Sequence, residues 1–146
     1  MIKTVVAAVI ERADRRLLIG QRRSTDSSPL KWEFPGGKVK KGEALEVALA
    51  RELREELGAT LRKSVEIARV RHAYAATANE LEIRFFAAEI VSDVVVGKTF
   101  ERIAWVLPRE LSGYDFLVAN RELVGNLATG RIKVAEVLAG QEPGPK

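Results

Sequence analysis

The 146-residue sequence predicts an α/β (α+β) domain built in layers. Three observations lead there. β-rich runs stand on both sides of one helical segment, residues 43–57. A second helical stretch closes the chain. The composition, 47% apolar and 30% charged, is that of a globular domain long enough to bury its own core.

The elements follow in order. Residues 2–10, IKTVVAAVI, read as a buried strand. The polar turn ERADRR returns the chain into LLIGQ at 17–21, and the two runs should form a hairpin. The polar stretch RRSTDSSPLK at 22–31 reads as a loop long enough to be functional. WEFPGG continues as a short extended piece, because Pro35 disfavours helix at the residue before it.

Residues 43–57 carry helical spacing. Leu45, Leu49, Leu53 and Leu57 recur every four residues, and Gly58 suits the left-handed position just past the end. ARVRHAY (68–74) and ELEIRFFAAEI (80–90) read as strands around the turn AATAN, and RIAWVL (102–107) as another. A helical pattern from Ala119 to Leu138 is interrupted near Thr129 and Gly130. One domain over 1–140 is expected, with a disordered tail at 141–146.

Several function classes fall away. The absence of cysteine removes disulfides, thiolate metal sites and cysteine nucleophiles, and fits a reducing cytosol. The N-terminus lacks the order of a signal peptide, and no apolar run reaches the roughly 20 residues of a membrane span. A cytoplasmic protein with no membrane partner is expected. The net charge of +4 attracts anions, but no nucleic-acid recognition motif accompanies it. Lone His72, in a strand, reads as structural rather than catalytic.

The informative stretch is GGKVKKGEALEVALARELREELGA at 36–59. At 100° per residue, Glu52, Glu55 and Glu56 fall within an arc of about 100°, at the edge of the leucine stripe. Ala48, one turn back, leaves room beside them. Like charges so close destabilise a helix by a few tenths of a kcal/mol per pair. A cation would turn that repulsion into affinity, and Mg²⁺ takes one or two carboxylates plus substrate phosphates. Three glutamates alone would better suit a solvated helix laced with ion pairs, Arg51 to Glu55 among them.

The wider spacing adds more. Gly37, five residues, Glu43, seven residues, Arg51-Glu52-Leu53, one residue, Glu55-Glu56, one residue, Gly58: this resembles the Nudix box of the Nudix hydrolase family. Eight of its nine defined positions match, and Ala59 stands where the ninth calls for a bulky aliphatic. The resemblance implies an α/β/α sandwich with a mixed β-sheet between helices. It implies a metal site from Glu52, Glu55, Glu56 and the Gly36 carbonyl, with Arg51 orienting a glutamate such as Glu55. The cofactor would be Mg²⁺, with Mn²⁺ an alternative that carboxylate spacing does not separate. Gly36 and Gly37 would let backbone approach a ligand, Glu43 would fix the loop, and Lys38 would meet a phosphate.

The reaction implied is water attacking the phosphorus of a nucleoside diphosphate derivative, with a carboxylate as base. Glu52 is the candidate base. Some members use a glutamate from a later loop, where Thr99 stands here and Glu101 is nearby. Glu80 and Glu82 are further options for the base, though they read first as ordinary strand residues.

Outside the box, WEFPGGK and LLIGQRR resemble the MutT-type members, which remove damaged nucleoside triphosphates. Arg22 then matches a nucleotide-contacting arginine, and Asn120 an asparagine that reads oxidised guanine. An asparagine amide can accept from the N7 proton of 8-oxoguanine while donating to O6. Asn120 could instead cap the last helix or bind adenine. Tyr114, Phe116 and Leu117 could form a base pocket or anchor the core. The expected partner is a small nucleoside triphosphate, 8-oxo-dGTP first and CTP or methyl-dCTP second. A non-catalytic nucleotide-binding domain and an enzyme of RNA 5′ ends are the other classes. A monomer and a homodimer both remain open.

Overall fold

The computed structural model describes residues 2–73 and 80–140. Among these residues, seven strands form two sheets, accompanied by three α-helices. Strands β1 (Ile2–Ile10), β4 (Gly36–Lys38), β5 (Leu61–Ala73) and β6 (Glu80–Ile90) form one, in the order β4-β1-β6-β5. Strands β2 (Leu17–Gln21), β3 (Trp32–Glu33) and β7 (Arg102–Val106) form the other, in the order β3-β2-β7. The first sheet is mixed: β1 runs parallel to β6, with Val5 opposite Ile83, and antiparallel to β4, with Val6 opposite Gly37.

β1 has apolar residues on both faces because both are covered. Its odd residues, Ala7 and Val9, join Phe34, Phe85, Phe116 and Leu123 in one core. Its even residues, Val6, Ala8 and Ile10, join the helix α1 (Leu45–Leu57) in another. Leu49, Leu53 and Leu57 of the stripe are buried there with Ala48, and Leu45 is partly buried. Helices α2 (Arg121–Ala128) and α3 (Val134–Ala139) cover the opposite side. The result is the expected layering of helices around a mixed sheet.

Gly58 ends α1 at φ 68°, donating its N–H to the Arg54 carbonyl. Gly130, at φ 77°, marks the break between α2 and α3. Ala59 is buried against the α1 core, so the small residue fits where the motif calls for a larger one.

The hairpin expectation needs correction. Arg12 N–H closes the turn on the Arg16 carbonyl at 2.8 Å, but β1 and β2 share only the bridge Glu11–Leu17. β2 then pairs with β3 and β7 instead, Leu18 lying opposite Trp105. β5 starts at Leu61, seven residues before the run read as a strand. Register shifts at Leu61/Lys63 and Glu66/Ala68 blur its alternation. The turn at 75–79 and the tail at 141–146 lie outside the described residues. No helix among those described is long and apolar enough to cross a membrane.

Candidate active site

The last turn of α1 and the strand β4 meet at the side of the first sheet. Gly36 donates its N–H to Glu56 Oε1 at 2.8 Å. Gly37 faces Glu52: a Cβ built there would stand 2.3 Å from Glu52 Cδ. A Cβ on Gly36 would stand 1.9 Å from the Val6 carbonyl oxygen. Gly36 is thus crowded by backbone and Gly37 by the far end of a flexible side chain.

Arg51 organises the acids. It meets Glu43 with two nitrogens, at 2.8 and 2.9 Å, and Glu52 at 2.8 Å. It also donates to the Lys38 carbonyl at 3.0 Å, tying the glycine loop to the helix. Glu55, expected as its main partner, is the longest contact at 3.4 Å, with 57% of its side chain exposed. The Arg51 fork and the Lys40 N–H hold the Glu43 carboxyl down at about 2.

Glu56 has the opposite environment. Burial pushes its carboxyl up to about 8, and repulsion from Glu33 and Glu52 adds to this, against the Gly36 N–H and the Thr99 hydroxyl. Thr99 Oγ1 is 3.2 Å from Glu56 Oε2. Glu33 is a residue that sequence reasoning missed. Burial raises its carboxyl too, partly offset by Arg22.

No group of three or more metal-ligating side chains is gathered as a finished cage among the described residues. Glu52 is turned to Arg51 and Glu56 to β4. The donor set nonetheless fits a hard divalent cation. Glu52 and Glu56 are oxygen donors that repel one another across a half-buried site, Glu55 is exposed beside them, and phosphates would complete the shell. A cation would offset that repulsion.

Beyond Glu56 opens a cleft of about 490 Å³, of a size for a small ligand. Lys38 and Arg22 stand on its rim, and Phe34, Ile83, Phe85 and Leu117 line its apolar part. Asn120 lines it too, with only 4% of its surface exposed. Its side chain does not cap α2. Asn120 Oδ1 instead accepts the Phe34 N–H at 3.4 Å. Its amide nitrogen makes no bond to described residues, and no fully buried side-chain nitrogen or oxygen there lacks a partner. That nitrogen therefore reaches the cleft.

Other sequence-predicted residues fall elsewhere. Phe116, expected as a substrate contact, is core: it lies behind the cleft wall, 5.5 Å from the ring of Phe34. Tyr114 packs edge-on against Trp32 at 5.0 Å. Arg22 is committed to Glu33 at 3.2 Å and to Ser27 O and Oγ at 2.7 and 3.0 Å, so it pins the 22–31 loop over the cleft. Glu101 lies in a separate depression with Gln21 and Arg102. Glu82 pairs with Arg71 and Arg84 on the sheet.

Carboxylates set along one helix beside a cleft of small-ligand size, on this layered scaffold, define a candidate site for an enzyme acting on a small molecule. The chain belongs to the NUDIX domain family, whose model matches residues 1–127, and is a Nudix hydrolase. It is 31% identical over 130 residues to "Nucleoside triphosphatase NudI" of Escherichia fergusonii, covering 82% of this chain and 92% of that protein. Among solved structures, a MutT NUDIX hydrolase from Burkholderia pseudomallei superposes with TM-score 0.73 at 26% identity, covering 86% of this chain and 97% of that one. One of the MutT proteins of Aliivibrio salmonicida and Vibrio cholerae gives 0.73 at 27%, covering 89% and 99%.

Proposed function

We propose that this protein is a Mg²⁺-dependent nucleoside triphosphate pyrophosphohydrolase that prefers 8-oxo-dGTP, releasing the monophosphate and pyrophosphate and so clearing oxidised nucleotides from the pool. The relatives named as a nucleoside triphosphatase and as MutT support the broader part of that reading. Asn120 carries the finer part.

The base would enter between Phe34 and Leu117. The free Asn120 N–H groups meet an acceptor at O6. Asn120 Oδ1, with a second lone pair left beside the Phe34 N–H, accepts the N7 proton that 8-oxoguanine has and guanine lacks. Leaving that acceptor unmet costs roughly 1–3 kcal/mol, about tenfold or more in discrimination. The triphosphate would run past Lys38 toward Glu52 and Glu56.

When bound, the divalent cation supplies charge neutralisation for the triphosphate and acidifies water. Glu52, Glu55, Glu56 and the Gly36 carbonyl would hold it. Water adds to phosphorus, the α–β phosphoanhydride P–O bond breaks, pyrophosphate leaves, and a carboxylate takes the proton from water. Glu52 is the proposed base, held in place by Arg51. The protein acts in the cytoplasm, as monomer or homodimer.

A panel of 8-oxo-dGTP, dGTP, dCTP, CTP and 5-methyl-dCTP tests this. The expected result is a kcat/KM for 8-oxo-dGTP about tenfold or more above that for dGTP. Equal values for those two reject the oxidised-base preference, and a maximum on the cytosine nucleotides establishes the pyrimidine alternative.

A further inference from the structure

The segment before β7 holds a threonine at a place where some family members carry a glutamate, and the structure shows what it does there. Lys98 N–H donates to the Glu56 carbonyl at 2.9 Å, and Val96 N–H to the Leu57 carbonyl at 3.0 Å. These bonds satisfy carbonyls that the end of α1 leaves without helical partners. On the other side, Phe100 is buried against Gly20, where a Cβ would stand 2.5 Å from its ring. Glu101 N–H then bonds the Gln21 carbonyl at 2.8 Å. Arg23 reaches the Lys98 carbonyl at 2.8 Å. Thr99 therefore sits between two fixed points, with a β-branched side chain of few rotamers. Its hydroxyl lands on Glu56 Oε2, while Gly36 N–H holds Oε1.

We infer that Thr99 is a positioning residue for the metal site: its hydroxyl, with the Gly36 N–H, sets the plane of the Glu56 carboxylate so that the remaining lone pairs face a divalent cation. A carboxylate has about four lone-pair sites, so two such bonds fix its orientation and leave room for a cation. Thr99 bears no group able to take a proton from water, and Glu101 lies outside the cleft. This loop supplies orientation, and the proton acceptor lies on α1. The inference rests on the reading of Glu56 as a metal ligand.

The test is Mn²⁺ binding to the nucleotide-free full-length protein, by calorimetry or electron paramagnetic resonance. Thr99→Val keeps the shape and removes the hydroxyl; it should weaken Mn²⁺ binding about tenfold, the value of a hydrogen bond to a charged group. kcat should fall comparably with KM for the nucleotide unchanged. Thr99→Ser should restore both to within about twofold. In a Glu56→Gln background, Thr99→Val should add nothing. An unchanged Mn²⁺ affinity in Thr99→Val, or a serine variant as weak as the valine one, overturns the role of Thr99 alone. No Mn²⁺ uptake by the unmodified protein overturns the metal site itself, and this role with it.

Discussion

The backbone of Gly37 lies directly under the carboxylate of Glu52, leaving no space for a Cβ: one would stand 2.3 Å from Cδ and 2.4 Å from Oε2. The neighbouring glycine is crowded by backbone instead, 1.9 Å from the Val6 oxygen. Two adjacent alanine substitutions should therefore fail differently. Gly37→Ala can be relieved by swinging Glu52 away, so kcat should drop by 10-fold or more with melting temperature little changed. Gly36→Ala must part β4 from β1, costing about 1–3 kcal/mol of stability. Calorimetry and kinetics on the pair separate the two effects.

Arg51 is fixed by Glu43, Glu52 and the Lys38 carbonyl together. Lysine carries the charge but not the planar fork. Arg51→Lys should lower kcat some 10- to 100-fold, the usual effect of losing a group that orients a metal ligand. A steady-state comparison in saturating Mg²⁺ checks this, and a rate equal to wild type would show that Glu52 holds its place without the fork.

The raised Glu56 carboxyl makes stability depend on pH. In the folded, metal-free protein it keeps its proton up to about 8, whereas the unfolded chain loses it near 4.5. The folded state thus binds more protons at Glu56 between those values, so this group's contribution is most favourable below about 4.5 and is lost as pH rises toward 8. Melting temperature in EDTA should decline across that window, Glu56→Gln should flatten the decline, and Mg²⁺ should oppose it. A flat profile for the unmodified protein contradicts the assigned environment.

Chelating divalent cations should stop turnover without unfolding the chain, because both apolar cores are built from protein side chains away from the candidate metal site. Circular dichroism in EDTA should stay native while hydrolysis ceases, and Mg²⁺ should restore it.

Asn120→Asp replaces two cleft-facing donors with an acceptor-only group. Preference should move from 8-oxo-dGTP toward nucleotides with an exocyclic amine, such as CTP. The ratio of kcat/KM values for the two substrates is the measurement.

Much of this was legible in the residues. The leucine repeat and Gly58 bounded α1 because helical periodicity is a local signal, and the glutamates followed from it. The hairpin of β1 and β2 was misplaced because strand choice is tertiary. Gly20 leaves room for the Phe100 ring against β2, in the strand that pairs with β7. β5 hid behind its charged residues and bulges. In the site, Glu33 was unreadable as an isolated polar residue with no spacing to single it out, and Thr99 was located by position without any sign that its hydroxyl meets Glu56. Phe116 was misplaced because an aromatic beside a cleft and one behind its wall have the same sequence signature.

β1 is a partition as well as a strand. Its even side chains pack toward the helix that carries the acids, its odd ones into the core that holds Phe34 and Phe85. Exchanges on the odd face can reshape what is recognised while the hydrolytic apparatus on the other stays undisturbed.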